Sequence, residues 1–181
     1  MSCMMLEGPA GCGWAFAAVG AIEGLMKIKT GTLVELSKQQ VVDFSPPGFN
    51  SRRKALDWVR QNGGVTTEAN ITGYARTDNA SELALMVAVA GQPVAVRMSM
   101  SPEAFKAYKA GTIFEGPCSS GTNHAMLVVG YGTTRDRKNF WIVKNWYGPR
   151  WGDNGFVLVK RGVSSYGGLC GIADDALFLT M

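Results

Sequence analysis

With 181 residues, 46% of them hydrophobic and 18% charged, the chain has enough apolar material to bury the core of one or two small domains. Its net charge of +4 is scattered, and the densest basic groups, Lys106 with Lys109 and Arg135 with Arg137 and Lys138, do not alternate with aromatics as a nucleic-acid surface would, so they are read as solvated faces. No apolar run reaches the ~18 residues of a membrane span, and Met1 to Leu6 is too short for the apolar core of a signal peptide.

In chain order, the first periodic stretch begins at Trp14. Trp14, Ala17, Ala18, Ala21, Ile22, Leu25 and Ile28 fall on one broad helical face, with Glu23, Lys27 and Lys29 off it. The spacing predicts a helix from about Gly13 to Thr30, ended by Gly31. Thr32 to Val42 reads as a turn into a short helix with Ser37 as N-cap. Ser45 to Asn50 is a loop by its Pro and Gly content. Arg52 to Gln61 is a helix with Ala55, Leu56, Trp58 and Val59 available for burial, stopped by Asn62-Gly63-Gly64. Ser81 to Ala90 is a helix through Leu83, Leu85, Met86, Val87 and Val89, and Phe105 to Tyr108 a short helix or turn. Strands are expected at Val94–Val96, Thr112–Phe114, Ala125–Tyr131, Phe140–Lys144 and Phe156–Lys160. Helices first and strands later give an α+β class.

The chemistry-bearing residues cluster in three stretches: Gly11-Cys12-Gly13-Trp14-Ala15-Phe16, Thr122-Asn123-His124-Ala125 ahead of an apolar strand, and Lys144-Asn145 closing another, followed by Trp151-Gly152-Asp153-Asn154-Gly155. Their order resembles the papain-like cysteine peptidases, above all the plant members. Leu36 to Asp43, Gln92 to Val96, Gly116-Pro117-Cys118 and Leu169-Cys170-Gly171 are similar to that family too, so the resemblance covers nearly the whole chain. It implies one peptidase-like domain over residues 1–181, with a helical subdomain at about 7–90, an antiparallel β-rich subdomain at about 91–181, and a cleft between them.

What the resemblance implies for the site departs from the family at its centre. The family reads Cys-Gly-(Ser/Ala)-Cys-Trp; aligned on Trp14, the nucleophile position is Gly13, with Cys12 beside it. His124, the sole histidine of the sequence, falls at the base position, and Asn145 at the position that orients the base. Trp146-Tyr147 replaces the usual Ser-Trp. Glu7 stands where the family places a glutamine that donates to the oxyanion; an ionised carboxylate accepts only, so Glu7 either repels that charge, carries a strongly raised pKa, or belongs to an exposed N-terminus. The pocket for the substrate's second side chain would be lined by Arg97, Thr122, Asn123, Ala125 and Asp175. Arg97 there either pairs with Asp175 or turns to solvent beside a rebuilt wall, since Pro46 to Ser51 replaces the family's glycine-rich wall.

The four cysteines allow three full pairings. The resemblance implies a Cys118–Cys170 disulfide. Ala10 and Phe44 stand where two first-subdomain cysteines would be, and Cys3 is left as a free thiol without a family partner. No cofactor is implied, and one histidine without a close cysteine pair gives no metal site. Partners would be a peptide or protein ligand and the family's protein inhibitors, with no nucleic acid or membrane, and the chain would be a monomer. The family implies a vacuolar, lysosomal or extracellular location; Asn70-Ile71-Thr72 and Asn79-Ala80-Ser81 are glycosylation sequons that agree weakly. Three readings follow: a pseudo-peptidase of peptide-binding or storage type, an endopeptidase using Cys12 with His124 and Asn145, or a degenerate chain that barely folds. Neighbouring side chains at a helix start diverge by roughly 100°, which argues against Cys12 taking the place of a residue at Gly13.

Overall fold

The computed structural model describes residues 11–44, 51–65, 69–121 and 124–181. Five helices lie among them: α1 (Gly13–Thr30), α2 (Lys38–Asp43), α3 (Arg52–Gln61), α4 (Glu82–Gly91) and α5 (Pro102–Lys106). Seven strands accompany them: β1 (Gly73–Arg76), β2 (Val94–Met98), β3 (Ile113–Phe114), β4 (His124–Thr133), β5 (Asn139–Lys144), β6 (Phe156–Lys160) and β7 (Leu177–Thr180).

The helices start and stop for local reasons. Gly31 adopts a left-handed conformation (φ 75°), a region closed to most side chains, and its N–H bonds Lys27 O to end α1. Ser37, Ser81 and Ser101 each accept a backbone N–H at the start of α2, α4 and α5. Two small residues let α1 lie close to the sheet: a Cβ at Gly20 would meet Leu127 Cδ2 at 3.2 Å, and one at Gly24 would press on Pro93 Cδ at 3.1 Å.

The strands form one sheet in the order β1-β7-β2-β4-β5-β6-β3. Every pairing is antiparallel except β3 with β6, so the sheet is mostly antiparallel, in line with the α+β expectation. Its centre is covered on both faces. Ala95, Leu127, Leu177 and Leu179 pack with Ile22, Leu25 and Leu56 of α1 and α3. The alternate residues Val94, Val96, Met126 and Val128 pack with Leu85, Phe105, Trp141 and Ile172. Each fully buried aliphatic side chain contributes about 1.5–3 kcal/mol relative to exposure.

Several sequence expectations change. Ile28 is 57% exposed although the helical face includes it, whereas Glu23, read as off the face, is buried: it accepts from Leu36 N (2.8 Å) and pairs with Lys38 Nζ (2.6 Å). On α4, Leu83 and Val87 are exposed while Leu85 and Val89 carry the burial. Strands β1 and β7 have no counterpart in the sequence reading; β1 is short and finds its partner about a hundred residues away, at Gly73↔Thr180 to Arg76↔Leu177.

Candidate active site

The N-terminus of α1 and the facing ends of β4 and β5 bring the chemistry-bearing residues together. Cys12 is the N-cap of α1, its carbonyl accepting from Ala15 N (2.9 Å) and Phe16 N (3.2 Å). Its side chain is 2% exposed and disulfide-bonded, to a partner outside the described residues. A disulfide sulfur has no proton to lose, which corrects the expectation of a thiol at Cys12, and no described cysteine is free. Cys118 and Cys170 form the disulfide that the resemblance implied. Cys3, Glu7, Ala10, Pro46 to Asn50, Thr122 and Asn123 lie outside the described residues, so the expectations placed on them are not addressed by the geometry.

Gly13 opens α1 and is buried. A Cβ at this position would lie 3.0 Å from Trp146 Cε2, 3.1 Å from Cδ1 and closer still to Nε1. The space that a side chain at Gly13 would need is filled by the Trp146 indole. That ring packs against three others. It stacks on Phe16 of α1 at 6.3 Å and on His124 at 5.5 Å, and Tyr147 meets it edge-on at 4.9 Å. The sequence showed that Trp146 is larger than serine. It did not show that the added volume and the missing side chain at Gly13 coincide in space.

His124, at the first position of β4, and Asn145, just beyond β5, are brought together. His124 Nε2 lies 2.8 Å from Asn145 Oδ1. An amide oxygen only accepts, so Nε2 carries the proton and Nδ1 keeps its lone pair. Asn145 is fixed from several sides: its N–H bonds Gly155 O (2.9 Å), and its Oδ1 also accepts from Trp146 N (2.8 Å). Its side-chain Nδ2 and the Trp146 Nε1 are buried without a partner among the described residues. Burial pushes the His124 pKa below its ordinary value of 6.5, and the bond to Asn145 opposes this without reversing it. The imidazole is therefore neutral at pH 7. Phe105 and Tyr147 pack edge-on against it at 5.4 Å each. A partly open pocket lined by Phe16, Ala17, Asn145 and Trp146 among others lies beside them, with about 40 Å³ accessible, room for water.

The expected pairing of Arg97 with Asp175 is corrected. Arg97 is exposed. Asp175 instead receives Arg52 Nη2 on Oδ2 (2.6 Å) and Arg53 Nη2 on Oδ1. Arg52 is 4% exposed, donates its other terminal nitrogen to Ala95 O (2.7 Å), and was missed by the sequence reading, which treated α3 as contributing apolar residues alone. Burial lowers the Arg52 pKa to about 10, against the pull of Asp175, and leaves it charged at neutral pH. Burial also pushes Asp175 up, but the Arg53 hydrogen bond and the charges of Arg52, Arg53 and Arg97 outweigh it and hold the carboxyl below its usual value.

Comparison with known proteins places this geometry in context. The family model described as papain family cysteine protease matches residues 6–79 and 66–180. Fruit bromelain of Ananas comosus is 39% identical over 97% of this chain, which spans about half (56%) of that relative. Macrodontain-1 of Ananas macrodontes is 38% identical, over 97% of this chain and 91% of its own length. A solved structure of the bromelain protease from Ananas comosus in complex with the E64 inhibitor superposes with a TM-score of 0.86 at 38% identity, covering 96% of this chain and 91% of the other.

Proposed function

Because the chain belongs to the papain family of cysteine proteases, its departures at the reacting position carry weight, and we propose that it binds peptide without hydrolysing it. The observation that carries this reading is the Trp146 indole in the volume beside Gly13. Acyl transfer through a covalent intermediate needs a nucleophile beside a base. Here His124 and Asn145 keep a base-like arrangement, and a flat aromatic ring covers the place where the base would meet a thiol. The low His124 pKa fits the same reading: a neighbouring thiolate would favour the imidazolium, and without one burial favours the neutral ring. The Cys12 disulfide removes the neighbouring sulfur as a substitute nucleophile. The helical and β-rich halves, packed through α1 against β4, would hold the peptide in a cleft along their junction.

The test is treatment of the folded chain with a thiol-directed peptide epoxide, followed by intact mass measurement and a fluorogenic peptide assay. The expected result is an unchanged mass and no turnover. An adduct mapping to Cys12, or turnover abolished by Cys12→Ala, would overturn the reading.

A further inference from the structure

On the face of β2 that α1 and α3 cover, the sheet carries a positive charge, Arg97, that forms no ion pair with any described residue. The register pairs Arg97 on β2 with Ala125 on β4, and Met98 with His124, so the backbone of Arg97 lies one strand spacing from the residue that follows His124. Side chains alternate along β2: Val94, Val96 and Met98 point into the core with Trp141, whereas Ala95 faces α1 and α3. Arg97 shares the face of Ala95 and emerges where that cover ends, exposed to solvent. Arg52, bonded to Ala95 O and to Asp175, sits on the same side.

The charges there do not cancel. Arg52 and Arg53 pair with Asp175, and Arg97, exposed on β2, adds a third positive charge whose field reaches that one carboxylate. Both Asp175 oxygens are occupied, one by Arg52 and one by Arg53. Arg97 forms no hydrogen bond or ion pair with any described residue. Its field nonetheless reaches both partners of the buried pair, since it depresses the pKa of Arg52 and of Asp175. Arg53 is 45% exposed and keeps further donors of its planar guanidinium available. Two forked donors on a surface with a local excess of two positive charges match a carboxylate.

We propose that Arg97 and Arg53 form an acid-recognising subsite on the Ala95 face of β2, which selects a peptide carrying a glutamate or aspartate side chain, with the buried Arg52–Asp175 pair holding Arg53 in place. This rests on the peptide-binding reading above. It assigns Asp175 a supporting part, since its carboxylate is already committed to the protein's own arginines. Apolar ligand side chains gain nothing from such a surface, and basic ones are repelled.

The experiment uses fluorescein-labelled hexapeptides in which one glutamate is walked through the central positions, beside the same set with glutamine. Binding is read by polarisation, and peptide integrity by mass spectrometry. At one position the glutamate peptide should bind about five-fold more tightly than its glutamine counterpart, a modest ratio because the arginines are exposed. Arg97→Ala should bring that ratio close to one, Arg97→Lys should keep part of it, and high salt should shrink it. Arg135→Ala, on a distant loop, should leave it unchanged. Equal binding of both sets at every position would overturn the acidic selectivity and leave the peptide-binding reading standing. A preference that survives both Arg97→Ala and Arg53→Ala would overturn the assignment to these residues. No binding by either set would overturn both, and cleavage of the peptides would overturn the non-catalytic reading while the glutamate-to-glutamine ratio still decides the selectivity.

Discussion

The two walls of the candidate site are built differently. On the sheet side, His124 and Asn145 keep a 2.8 Å hydrogen bond, anchored by the β4–β5 ladder and by the bond of Asn145 N to Gly155 O. On the helix side, the start of α1 offers a glycine and a disulfide sulfur. The first arrangement is tied to backbone pairing that the fold needs anyway, so it persists whether or not chemistry follows. The second depends on a single position and on the neighbour that must leave room for it, and here the Trp146 indole fills the space beside Gly13. On the reading proposed above, the His124–Asn145 bond alone says little about catalysis, and the volume at Gly13 is the feature to test.

The contrast can be broken most forcefully by rebuilding the helix wall. Gly13→Cys alone places its Cβ against the Trp146 indole, so its thiol should be displaced and slow. Gly13→Cys with Trp146→Ser should exceed it in kcat/KM on a fluorogenic peptide by at least about 100-fold, the cost of roughly 1 Å of misplacement at a reacting centre. Adding Glu7→Gln should raise the rate again if Glu7 faces the oxyanion, since a carboxylate cannot donate to it. A single variant as fast as the double would show that Trp146 yields freely.

A second effect concerns Arg52, the buried cation of α3. Arg52→Ala removes a buried partner of Asp175 and of Ala95 O, and should cost about 3 kcal/mol in urea unfolding. Arg53→Ala, half exposed, should cost less than about 1 kcal/mol. Equal costs would mean that Arg52 is better solvated than its 4% exposure implies.

Smaller in energy, but sharper in logic, is the coupling of Gly13 to Trp146. In the parent, Gly13→Ala should destabilise by about 1–3 kcal/mol through overpacking. In a Trp146→Ser background the same change should be neutral or stabilising, because alanine favours a helix over glycine by about 0.5–1 kcal/mol. Purely additive behaviour in this cycle would deny that the two residues share one volume.

The mildest probe is pH. The His124 pKa is lower folded than unfolded, so between the two values the unfolded chain binds more protons and stability rises with pH. Melting temperature should fall as pH drops below the ordinary histidine value of about 6.5, and His124→Gln should flatten that slope. A slope unchanged by His124→Gln would place the titration elsewhere.

Much of this was legible in the sequence because the signals are local. The apolar spacing of Trp14 to Leu25 and the Gly31 stop delimit α1, and the Ser37 cap starts α2. His124 and Asn145 could be singled out because each sits at the end of an apolar strand run. What escaped depends on partners distant in the chain. Glu23 looked like a solvent residue until Leu36 N and Lys38 closed on it. Arg52 meets Asp175 across 123 residues, and no local pattern distinguishes it from Arg97 as the better partner. Cys12 could have been recognised from the cysteine count, since an even number with one pair assigned left a second pair to place.

The pairing of β1 with β7 reaches beyond the site, into the order in which the protein can be made. Leu177 and Leu179 belong to the apolar cluster built on α1 and α3, yet they emerge from the ribosome some 150 residues after α1 has left it. The helical half is therefore synthesised early and completed late. Its sheet edge at Gly73–Arg76 cannot meet its partner until about a hundred further residues have been made, a long-range closure of the kind that slows folding and exposes nascent chains to aggregation. A chain stalled before Leu177 lacks the partner of that edge and part of the cluster on α1 and α3, so the last strand closes the helical half.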